Sequence, residues 1–126
     1  MESIYIKPDE MTPGINLDKE RNIFHFYGRS LPANAHKFYK NVLEWVIEYS
    51  KNPNPNTTIT FDFEYFNSSS SNKISQILFH FEKIREKGFP VYVEWYYRDN
   101  DEDMKDVGEL MSELVDIPFS FHMILS

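Results

Sequence analysis

The chain contains no cysteine. That excludes a disulfide framework, a thiolate nucleophile and a thiolate zinc site. Glycine is scarce, with four in 126 residues, and none sits in a loop of the kind that cradles phosphate. No apolar run approaches the roughly 18 residues that a membrane helix needs. The segment Met1-Glu2-Ser3-Ile4-Tyr5-Ile6 has no basic stretch leading into an apolar core, so no signal peptide is expected and the chain reads as cytoplasmic. Basic residues are in the minority, 13 Lys+Arg against 20 Asp+Glu, for a net charge of −7. They are also scattered. Neither a nucleic-acid nor a membrane partner is expected from such a surface.

Aromatic residues are abundant, 17% of a chain that is 41% hydrophobic. A disordered chain does not carry that much apolar side chain. The length fits one domain spanning residues 1–126, large enough to bury about two-thirds of its unfolded surface.

Hydrophobic periodicity then orders the elements. Ile4-Tyr5-Ile6 is a short apolar piece ended by Pro8. Ile15-Asn16-Leu17 and Ile23-Phe24-His25-Phe26-Tyr27 flank a charged turn and read as a hairpin. Phe38, Val42, Trp45, Val46 and Tyr49 recur at helical spacing, with Asn34 or Ser30 as the cap. Thr57 to Phe66 alternates: Ile59, Phe61, Phe63 and Tyr65 fall on one face, Thr60, Asp62 and Glu64 on the other. A second helix carries Ile74, Ile77, Leu78, Phe81 and Ile84 and stops at Gly88. A strand with Val91, Val93, Trp95 and Tyr97 on one face follows. Met104, Val107, Leu110, Met111 and Leu114 mark a third helix, and Phe119, Phe121, Met123 and Leu125 a last strand. The order β-β-β-α-β-α-β-α-β predicts an α/β fold with a mixed, mostly parallel sheet and an N-terminal hairpin. Asp62, Glu64, Glu94, Ser120 and His122 interrupt the strands, so the helices are expected mainly on one face, with Tyr92 and Tyr96 among charges on the other.

Candidate chemistry is sparse. Asp99-Asn100-Asp101-Glu102-Asp103 resembles a calcium loop in charge only, because Met104 and Leu110 stand where glycine and glutamate are required. These acids read instead as the start of a helix, where negative charge complements the dipole. His25, His36, His80 and His122 have no metal-ligand spacing, although His25 and His122 could meet on neighbouring strands. No metal and no cofactor are expected. Asp62 and Glu64 form a carboxylate pair of the sort that does acid–base work, which keeps a small enzyme as one alternative.

Ser68-Ser69-Ser70-Ser71 lies between the strongest strand and the second helix. Ordinary capping needs only one serine. The other reading is a phosphoacceptor, where phosphate would meet free N–H groups at the positive end of a helix. The pattern alone leans to capping and leaves both open.

At these residues the sequence resembles the SiaC family of bacterial regulatory phosphoproteins. The resemblance runs through Thr12-Pro13-Gly14-Ile15, Gly28-Arg29-Ser30-Leu31-Pro32-Ala33-Asn34-Ala35, Phe38-Tyr39, Trp45-Val46, Tyr65-Phe66-Asn67-Ser68-Ser69-Ser70, Pro90-Val91 and Trp95-Tyr96-Tyr97. It implies a single small domain similar to STAS-type anti-sigma-factor antagonists, with no enzymatic activity. It also implies a Ser/Thr kinase that phosphorylates the residue after the Asn, a PP2C-type phosphatase that reverses it, and a diguanylate cyclase activated by the unphosphorylated form. Raised cyclic di-GMP would then favour biofilm. The matching acceptor is Ser68, with Ser69 and Ser70 as alternates and Asn67 and Ser69 shaping the loop. Ser68 stands where threonine is common in the family, and Ala33 where glutamate is frequent. A partner-switching protein acting on an anti-sigma kinase is the nearest alternative.

Overall fold

A computed structural model describes residues 1–126. Nine elements follow one another: β1 (Ile4–Ile6), β2 (Gly14–Asp18), β3 (Ile23–Ser30), α1 (Ala35–Lys51), β4 (Thr57–Phe66), α2 (Ser68–Glu86), β5 (Val91–Arg98), α3 (Glu102–Leu114) and β6 (Phe119–Ile124). The six strands form one sheet in sequence order. β1, β2 and β3 pair antiparallel; β3, β4, β5 and β6 pair parallel. The expected hairpin is β2–β3, with Asn16 opposite His25, and β1 extends it to a three-stranded meander.

Sequential parallel order has a consequence for the layers. Right-handed crossovers that always step the same way place every connecting helix on the same side of the sheet. The burial pattern agrees. Thr57, Ile59, Phe61 and Phe63 of β4 and Val91, Val93 and Trp95 of β5 are buried, while their alternating neighbours are exposed or half-buried. On the covered side, Phe24 packs against Trp45, Tyr49 and Phe81 at centroid distances of 6.0, 4.9 and 6.1 Å. Each such ring, fully withdrawn from water, contributes roughly 1.5–3 kcal/mol. α2 ends as expected at Gly88, whose φ of +97° permits the turn that returns Phe89 N–H to the Ile84 carbonyl.

Three expectations are corrected. Tyr65 does not share the apolar face of β4. The register steps from Gly28↔Phe63 to Arg29↔Tyr65, so Glu64 is the extra residue of a bulge. The bulge turns Tyr65 outward, beneath the Arg29 guanidinium at 5.6 Å, and Phe66 takes the inner position against Phe63 and Trp95. Leu110 and Leu114 also face solvent, and α3 buries Met104, Gly108 and Met111 instead. Gly108 decides that face. A Cβ there would lie 2.4 Å from the Trp95 ring, whose Nε1 donates to the Met104 carbonyl at 3.0 Å. Met123 and Leu125 are exposed as well, since β6 is an edge strand that α3 covers only in part.

Candidate functional site at the start of the second helix

All three helices begin at the carboxyl ends of parallel strands, along one edge of the sheet. Open α/β sheets present their functional loops there. α2 starts from Asn67, which is extended (φ −85°, ψ 175°) and caps the helix directly after Phe66, the last residue of β4. Its N–H donates to the Ser30 carbonyl at 3.1 Å. Its Oδ1 accepts the Ser70 N–H at 2.9 Å, and its carbonyl accepts the Ser71 N–H at 2.9 Å. The N–H groups of Ser68 and Ser69 are left without a partner in the fold, as expected for a helix N-terminus.

Beneath this turn lies a buried hydroxyl chain. The Ser30 hydroxyl donates to Ser70 Oγ at 2.8 Å and lies 2.6 Å from the Tyr39 hydroxyl. All three residues are fully buried. Burial pushes the Tyr39 phenol up to about 12, against the opposing hydrogen bonds of Ser30 and Ser70. The chain ties together the end of β3, the second turn of α1 and the first turn of α2.

The four serines are therefore not equivalent. Ser68 and Ser69 are exposed, Ser71 is half-buried, and Ser70 is fully buried with its hydroxyl bound to Ser30. A hydroxyl so placed is closed to solvent in the folded chain.

The neighbouring helix repeats the pattern. Asn34 caps α1, its Oδ1 accepting the Lys37 N–H at 3.0 Å. Neither α1 nor α2 has an acidic residue in its first turn. Between the two helix starts runs a shallow depression, with Ala33–His36 on one side and Ser69, Asn72 and Lys73 on the other. Lys73 Nζ lies 3.2 Å from His36 Nδ1 across it. Periodicity pointed to Phe38 and passed over Tyr39, His36 and Lys73. Ser30 and Tyr39 did fall within the stretches that carry the family resemblance.

The other candidates lie apart from this corner. Asp62 accepts from Arg98 Nη1 at 2.5 Å on the open face of the sheet. It shares a depression there with Glu64, Asp9, Glu10, Arg29 and Arg98. His25 stacks on Tyr27 at 4.6 Å, and burial holds its imidazole below the usual value against the pull of Asp62. His122 bonds Glu94 and stacks on Tyr96. His25 and His122 do not meet, because β4 and β5 separate their strands. Asp101 caps α3 through the Met104 N–H at 3.1 Å, and Asp99 accepts from the backbone and side chain of Ser126. No three metal-ligating side chains converge anywhere in the chain. No helix is long and apolar enough to cross a membrane.

The sequence model of the SiaC family of regulatory phosphoproteins matches residues 6–124. The chain belongs to that family. A curated, uncharacterised protein of Pseudomonas aeruginosa strain UCBPP-PA14 is 25% identical over 120 residues, 95% of each chain. Solved structures show the same fold. SiaC of Pseudomonas aeruginosa superposes over the whole of both chains with a TM-score of 0.84 at 24% identity. SiaC in complex with the diguanylate cyclase SiaD, which it activates, reaches a TM-score of 0.89 over 96% of this chain and 99% of that one, again at 24% identity. In this family member, the residues Tyr65-Phe66-Asn67-Ser68 that carry the resemblance coincide with the bulge, the cap and the first exposed hydroxyl of α2.

Proposed function

We propose that this chain is a non-enzymatic, cytoplasmic switch protein of one domain whose unphosphorylated form binds and activates a diguanylate cyclase. A Ser/Thr kinase modifies Ser68 and a PP2C-type phosphatase restores it. In the forward step an ester bond forms between Ser68 Oγ and the γ-phosphorus of ATP. The bond to ADP breaks, and the hydroxyl proton is released. The output is raised cyclic di-GMP and biofilm growth when the serine is free.

The observation that carries this reading is the placement of Ser68. It is exposed, it follows the capping Asn67 directly, and its own N–H is open at a helix end that lacks acids. Family membership supports the phosphoprotein role, and the activator complex of a relative with the same fold supports the cyclase as partner. Phosphate adds roughly 1.5–2 negative charges with three acceptor oxygens. At this corner it reverses the local charge and takes up open N–H donors, so docking changes without refolding.

The test is peptide mass spectrometry of the chain from its host, with cyclase pull-down and cyclic di-GMP production for wild type, Ser68→Ala and Ser68→Asp. Phosphate on Ser68 is expected, with cyclase held and activated by the alanine form and binding weakened at least tenfold in the phosphorylated chain. An anti-sigma kinase captured in place of a cyclase would move the output to transcription. An unmodified Ser68 under every growth condition, with equal partners for all forms, would overturn the reading.

A further inference from the structure

The depression between α1 and α2 is suited to distinguish two adjacent serines. Its polar side chains are Asn34 and His36 at the start of α1 and Ser69, Asn72 and Lys73 from α2, and no carboxylate lines it. Further along α1, Lys37 and Lys40 add positive charge to the same end of the helix. Lys73 makes no ion pair and instead lies 3.2 Å from His36 Nδ1, an ammonium facing a ring nitrogen. Lys73 thus has a hydrogen-bond partner in His36 but no carboxylate, and the Ser69 hydroxyl lines the same depression.

Helical spacing decides which hydroxyl supplies it. Successive residues turn about 100° around the axis, so Lys73 is about 40° from Ser69 and about 140° from Ser68. Ser69 lines the depression and Ser68 does not. We propose that Lys73 and His36 form a receiving pair for a phosphate on Ser69, while a phosphate on Ser68 stays clear of it. This rests on the reading that this corner is phosphorylated and adds a second, unequal position. Phosphoserine 69 is drawn between the helices and partly neutralised. Phosphoserine 68 keeps its charge on the docking surface. The serine run is thus a pair of exposed positions with different electrostatic fates, above a buried third serine that holds the turn.

The test places phosphoserine at 68 or at 69 in the full chain by genetic encoding and follows each phosphate by 31P NMR against pH. The second ionisation of free phosphoserine lies near 6. At position 69 it is expected to fall by about half a unit or more, because cations favour the dianion. At position 68 the fall is expected to be smaller. The difference should vanish when Lys73→Gln and His36→Gln are combined, with circular dichroism verifying the fold. Equal titration at both positions, or a difference that survives the double substitution, would overturn the receiving pair. Cyclase binding by the encoded phosphoserine 68 chain is scored separately, so failure of the switch reading is distinguishable from failure of the pair.

Discussion

The starts of α2 and α3 meet the same physical demand with opposite charge. Each follows a parallel strand, and each is capped by a side-chain oxygen that accepts the backbone N–H of the third helical residue: Asn67 to Ser70 and Asp101 to Met104. Around α3 the dipole is saturated, since Asp101 is followed by Glu102 and Asp103 in the first turn. Around α2 the cap is neutral, the first turn has no acid, and Lys73 and His36 lie alongside. Fixed carboxylates stabilise a helix start permanently. A neutral cap leaves the same electrostatic opportunity to a charge that can be added and removed. In a chain of net charge −7, acids are absent from the first turns of α1 and α2, which supports the proposed change of charge at this corner.

The largest effect is expected below α2. Ser30→Ala leaves the Tyr39 and Ser70 hydroxyls without their shared partner, and stability in urea should fall by roughly 2 kcal/mol. The same site has an alkaline signature. An unfolded phenol ionises near 10, whereas that of Tyr39 waits until about 12. Its stabilising contribution is therefore complete below pH 10 and lost as pH rises from 10 towards 12. Tyr39→Phe should flatten the urea-midpoint profile across that window, leaving the slope due to Tyr49 and Tyr27, whose phenols burial also raises.

The corresponding break at α3 is Gly108→Ala, which pushes a methyl into the Trp95 ring. A loss of about 1.5 kcal/mol is expected, with altered Trp95 fluorescence. Removing each cap directly, by Asn67→Ala and Asp101→Ala, should cost about 1 kcal/mol apiece in thermal or urea unfolding. The smallest change in stability, within about 0.5 kcal/mol, is expected for Asn67→Asp, because both side chains cap well. It should nevertheless make α2 resemble α3. Phosphate at Ser68 would then lower the melting midpoint relative to phosphorylated wild type, as two anions compete for one helix end.

Much of this architecture was legible from side-chain order. Period-two and period-3.6 stripes located every strand and helix, and the polar residues breaking β4, β5 and β6 marked the face without helices. The exposed Leu110, Leu114, Met123 and Leu125 were not legible as such. They continue apolar stripes, but the stripe says nothing about where the sheet ends. The corner proposed to carry the acceptor was legible in part. Family resemblance singled out Asn67 and Ser68, whereas Tyr39 was hidden beside Phe38, and its partners Ser30 and Ser70 lie nine and thirty-one residues away.

Sequence by itself thus determined the element order, the covered face and the first hydroxyl after the cap, because these follow from local periodicity and adjacent residues. Tertiary structure alone decided that Glu64 bulges and turns Tyr65 outward, that Ser70 is buried while Ser68 is presented, and that Lys73 faces His36 across two helices. Those outcomes depend on register and packing between segments far apart in the chain, where no neighbouring residue carries the information.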